Sequence, residues 1–104
     1  MGVIVWLKTG FFEKTAYRLE AGTNGLLLVP EKGEGAGRIV LSEKNLLSVV
    51  LTEGRLPELE IQTRDALYQA VFGEGISFEE ALDYLKKHLS VNITCEYKGG
   101  ENHA

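Results

Sequence analysis

The chain has 104 residues, 44% hydrophobic and 25% charged, with 12 glycines, 2 prolines and a single cysteine. That suffices for one domain around one core and is too short for two. The formal net charge is -4 and no Lys/Arg run exceeds Lys86-Lys87, which weighs against nucleic acid and an anionic membrane surface as partners.

Cys95 has no second cysteine to pair with, and the opening MGVIVWLKTG lacks the basic and long apolar regions of a signal peptide. No run approaches the length of a membrane span. The cytoplasm is therefore the expected compartment.

In chain order, VIVWL (Val3 to Leu7) is rich in β-branched and aromatic residues and predicts a first strand. Gly10 predicts a bend, and a second strand starts at Lys14. Asn24-Gly25 lies between two candidate strands and predicts a tight hairpin turn. LLLV stops at Pro30, which lacks a donor N–H. An acidic, glycine-rich loop follows from Glu31 to Gly37. RIVLS from Arg38 and LLSVVL from Leu46 predict two more strands, separated by Glu43, Lys44 and Asn45.

ELEIQT, Glu58 to Thr63, alternates strictly and predicts a strand with one wet side. Ala66 to Phe72 fits either period. Its shortness, the two-residue turn Arg64-Asp65 before it and Gly73 after it favour a strand.

A helix over 77–89 is the clearest element. Ser77 and Glu80 have capping-box spacing. Phe78, Ala81, Leu82, Leu85 and Leu89 share one stripe. Asp83 and Lys87 are spaced for a helical ion pair. After it, Val91, Ile93 and Cys95 alternate with polar residues, which suggests a short last strand. The predicted architecture is α+β or mostly β: a small, partly open antiparallel barrel of about six or seven strands. One C-terminal amphipathic helix plugs its mouth, with the short strand after it.

This pattern resembles the pleckstrin-homology-like fold, in particular its bacterial and GRAM-type branches. VLSEKNLLSVVL (Val40 to Leu51) is similar to the segment joining two strands there. LEIQTRDALYQAVF (Leu59 to Phe72) resembles the following hairpin, SFEEALDYLKKHL the capping helix, and VWLKTGFFEKTAYRL the first hairpin. The resemblance implies a single domain over 1–98 with a frayed tail over 99–104, and self-association. A headgroup or small-ligand pocket of the kind found in that fold would need Lys8, Lys14, Arg18 and Arg38 to converge. Basic residues in lipid-binding members are clustered, whereas here they are spaced, with Glu13 among them.

Other motifs favour plain readings. GEGAG (Gly33, Gly35, Gly37) lacks the Lys-Ser/Thr of a phosphate loop and reads as a hairpin loop. His88, His103 and Cys95 are not at metal-site spacing. Cys95 reads as a half-buried strand thiol, and Glu58 with Glu60 as a solvated sheet face. Phe11 and Phe12 beside Trp6 form the one aromatic cluster. Core packing is expected of it, with Phe11 or Phe12 as a contact anchor if the two take opposite faces. No catalytic residue, metal ligand or cofactor is expected. The expected function is a non-catalytic interaction module. It binds a protein partner or itself through an exposed strand edge or through the groove between helix and sheet. The alternative is binding of a small ligand or an anionic lipid headgroup.

Overall fold

A computed structural model describes residues 2–10, 13–22, 24–32 and 37–97. Phe11 and Phe12, Gly33 and Gly35, His103 and the tail over 99–104 lie outside the described residues. Among the described residues, eight strands and one helix are formed: β1 (Val3–Lys8), β2 (Lys14–Gly22), β3 (Gly25–Pro30), β4 (Ile39–Ser42), β5 (Leu46–Glu53), β6 (Glu58–Thr63), β7 (Leu67–Phe72), α1 (Phe78–His88) and β8 (Ile93–Tyr97). A single 3₁₀ turn, Glu43–Asn45, separates β4 from β5.

The strands form one open sheet in the order β4-β3-β2-β1-β7-β6-β5-β8. Two meanders, β1 to β4 and β5 to β7, are joined where β1 pairs antiparallel with β7, Val5 opposite Phe72. The count of eight exceeds the six or seven expected for the sheet, because the residues after the helix are a full member of it. The seven strands before the helix all pair antiparallel, as expected, whereas β8, whose pairing the sequence left open, pairs parallel with β5, Val49 opposite Ile93. The cause is direction. The helix returns the chain antiparallel to β7, so the next strand runs with β7 and β5, and it docks on the side of β5 that β6 leaves open.

The hydrophobic alternation sets which face is core. Val5, Leu7, Tyr17, Leu19, Leu26, Leu28, Val49, Leu51, Leu59, Ile61, Ala70 and Phe72 all point to one side and are buried. Phe78, Ala81, Leu85 and Leu89 of the helix stripe are buried against them. The helix touches both β2 and β5, four strand steps apart in the sheet order. Laid flat, those steps span about 19 Å, while a helix with its side chains is about 10–12 Å across. The sheet is therefore curled around α1.

Local signals behave as their chemistry dictates. The capping box is closed: Glu80 N–H donates to Ser77 Oγ at 3.0 Å, and Ser77 N–H to Glu80 Oε1 at 3.0 Å. Lys87 Nζ lies 3.4 Å from Asp83 Oδ2. Thr63 N–H donates to Ala66 O at 2.8 Å, closing the Arg64-Asp65 turn. The Asn24-Gly25 hairpin is one residue out of the expected register. Gly22 pairs with Gly25, so Gly25 opens β3 instead of completing the turn. Its φ of +132° is the positive one, and Asn24 has none. Glycine is required there for a second reason, since a Cβ would stand 2.1 Å from Leu41 O. Trp6 is also corrected. It alternates with buried Val5 and Leu7, so it faces outward and is 44% exposed instead of packing in the core.

Candidate functional site

The four predicted basic residues do not form a cationic pocket. Lys8 and Lys14 stand opposite each other at one end of the β1–β2 pair, and Arg18 faces Ile4 farther along it. Arg18 Nε donates to Glu20 Oε2 at 2.7 Å, and Glu31 Oε2 lies 3.7 Å from its Nη1. The hydrogen bond to Glu20 leads the causes that raise the Arg18 pKa, and the same bond holds the Glu20 carboxyl below the ordinary carboxylate range. Arg38 borders the concavity that Glu20 also lines. Lys8 borders a separate hollow with Glu58, Glu60 and Gln69. Two cations thus sit among two anions, and the lysines sit apart from them. The predicted contact anchors, Phe11 and Phe12, lie outside the described residues.

Among the described residues, no three His, Cys, Asp or Glu side chains are grouped to hold a metal ion. His88 is exposed on the last turn of α1 and meets the Tyr84 ring edge-on at 5.1 Å. Tyr84 itself ties the helix to the sheet. Its Oη accepts from Ala21 N–H at 3.1 Å and donates to Leu19 O at 3.3 Å.

A different region collects incomplete structure. β8 pairs with β5 on one side and ends the sheet on the other. An edge strand carries a row of free N–H and C=O groups. Its inward residues Ile93 and Cys95, with Val91 before them, are only half-buried, unlike their counterparts on β5 and β6. Between β8 and α1 runs a groove of about 420 Å³, lined by apolar Leu82, Leu89, Val91, Ile93 and Cys95 and by polar Lys86, Ser90 and Asn92. Phe78 at the start of α1 meets Tyr97 at the end of β8, with ring centroids 5.2 Å apart. Desolvation there pushes the Tyr97 phenol up, with Cys95, Glu53 and Glu79 adding to the effect.

The Ser90 end of the groove is held by Glu43 from the 3₁₀ turn. Its Oε2 accepts from Ser90 N–H at 2.7 Å and from Ser90 Oγ at 2.6 Å. These bonds hold the Glu43 carboxyl below the ordinary carboxylate range. The junction between α1 and β8 is thereby pinned to the connection between β4 and β5.

The alternation of Val91, Ile93 and Cys95 signals the inward face of β8 in the sequence. Its placement beside β5 does not show there, because the order of strands is a long-range property. Glu43 also escapes sequence reading, since its partner is 47 residues away.

No family model matches the chain, and no curated protein is similar to it at a significant level.

Proposed function

We propose that this protein is a non-catalytic interaction module that takes up an extended polypeptide segment on the free edge of β8. The bound segment adds a strand to the sheet, and its alternate apolar side chains enter the groove beneath α1. One observation carries the reading: a strand with open hydrogen-bonding groups also has its inward side chains Ile93 and Cys95 half-covered, beside a groove of mixed apolar and polar lining. Strand addition draws affinity from main-chain hydrogen bonds and specificity from pockets for alternate side chains. Both requirements meet at β8.

The headgroup alternative has less support. Glu20 and Glu31 offset the charge of Arg18, and an anion would meet those carboxylates at close range. A site built to hold phosphate instead leaves its cations free to pair with it.

The test is selection of peptides from a displayed random library on the immobilised chain. Bound peptides are expected to share an i, i+2 apolar pattern. Ile93→Lys and Leu82→Glu, both at half-buried positions, are expected to abolish their binding, while Val40→Lys on the opposite edge leaves it unchanged. Peptides that bind equally well to all three variants would overturn the reading.

A further inference from the structure

We infer that the segment received by β8 is β8 of a second copy of this chain, in a two-fold dimer whose axis passes beside Cys95. The inference rests on the strand-acceptance reading above and names its partner.

Three observations converge on it. First, β8 is self-complementary. An antiparallel pair related by a two-fold axis at Cys95 matches all five residues of the strand: Ile93 with Tyr97, Thr94 with Glu96, and Cys95 with itself. The inward side chains Ile93, Cys95 and Tyr97 then form one apolar row. On the outer face each Glu96 meets a threonine, with no like-charge pair directly opposite.

Second, α1 repeats the symmetry of the strand. The Phe78–Tyr97 ring contact puts the start of the helix beside the end of β8. The groove brings Leu82 and Lys86 beside Cys95 and Ile93. From Phe78 to Leu82 is about 6 Å along the helix, and from Tyr97 back to Cys95 is about 6.6 Å along the strand. Leu82 therefore stands level with Cys95, on the same axis.

Third, the charges on that flank of α1 are ordered for such a partner. Glu79 precedes Lys86 by seven residues, about two helical turns, so both lie on the flank of α1 that borders the groove. Glu79 lies about 4.5 Å to one side of Leu82 along the helix and Lys86 about 6 Å to the other. A two-fold rotation brings Glu79 of one copy to the level of Lys86 of the other, twice. Both side chains are exposed, and neither takes part in the Asp83–Lys87 ion pair. An unrelated peptide would have no reason to match this order of acid, apolar centre and base.

The test combines mass, charge and crosslinking. Light scattering across a concentration series is expected to give twice the chain mass of 11.5 kDa. Lys86→Glu alone, and Glu79→Lys alone, are expected to weaken the dimer about tenfold, since each change affects two symmetric pairs. The double variant Glu79→Lys/Lys86→Glu restores it. Both positions are exposed, so an unchanged melting curve shows that the variants fold. Opposed Cα atoms in an antiparallel pair lie about 4.5–5.5 Å apart, within the range a disulfide spans. Diamide, which takes up the two electrons and two protons released, is thus expected to link the copies through Cys95. A monomer at millimolar concentration overturns the inference, and so does a dimer that the double swap fails to restore. If that monomer still binds library peptides through Ile93 and Leu82, strand acceptance stands and only the identity of the partner falls.

Discussion

The sheet has two ends, and they are finished differently. At β4 the inward side chains are buried Leu41 and half-buried Ile39, and the outward Val40 is 72% exposed. A strand added there would gain main-chain hydrogen bonds and cover Ile39 on the inner side, with no helix groove beside it to take further side chains. At β8 the inward Ile93 and Cys95 remain half-buried beside an open groove. Both ends offer the same backbone groups. What separates them is where the uncovered apolar surface lies: mainly on the outer face at β4, and on the inner face beside the helix at β8. The β8 end has this surface because α1 sits over β2 and β5 and stops short of covering the last strand.

The largest test of that contrast removes the helix from its seat. Leu85 is fully buried and belongs to the stripe that packs into the curl. Leu85→Ala is expected to cost about 2–5 kcal/mol, from lost transfer energy and the cavity left behind. Urea unfolding with an unchanged slope measures it. A loss under about 1 kcal/mol would mean that α1 is not the plug, and the groove would lose its fixed wall. A smaller effect belongs to the β4 end. Gly25→Ala places a Cβ against Leu41 O in a backbone conformation unsuited to alanine. The expected cost is about 1–3 kcal/mol. Amide exchange is expected to rise first over Ile39–Ser42, with β8 unaffected. Faster exchange at β8 in this variant would show that the two ends are not independent.

Much of this was legible in the sequence, for local reasons. The capping box, the helical stripe and the strict alternation of Glu58 to Thr63 are short-range patterns, and each gave its element correctly. So was the choice of strand for Ala66 to Phe72, decided by the turn before it. The missed features are long-range. Nothing in the alternation of residues 91–97 says which edge they join, so the parallel pairing with β5 stayed hidden. Trp6 invited a core reading by residue type, yet its neighbours Val5 and Leu7 had already claimed the inner face. The basic residues were read as a set. Their spacing along β1 and β2 gave no warning that Glu20 and Glu31 would occupy Arg18. The groove is assembled from α1 and β8, which only chain reversal brings together.

The smallest effect concerns how β8 is moored. Glu43 accepts two hydrogen bonds from Ser90, and its folded-state pKa is lowered by them. A lowered carboxyl favours the folded form while it is charged. The unfolded carboxyl protonates near pH 4.3, so the contribution is complete above that value. It fades as pH falls through the lower folded pKa. Glu43 is half-buried at the surface, where solvent screens its charge, so global stability is expected to change little. The local consequence is clearer. Amide exchange at Ser90 and along Ile93–Tyr97, corrected for the intrinsic pH dependence, is expected to accelerate as pH drops through that window. Exchange over Ile39–Leu41 stays flat. Glu43→Gln is expected to show the faster β8 exchange already at neutral pH and to lose the pH response. An unchanged response in Glu43→Gln would assign the mooring of β8 to its pairing with β5 alone. The two ends of the sheet would then differ in apolar cover but not in how they are held.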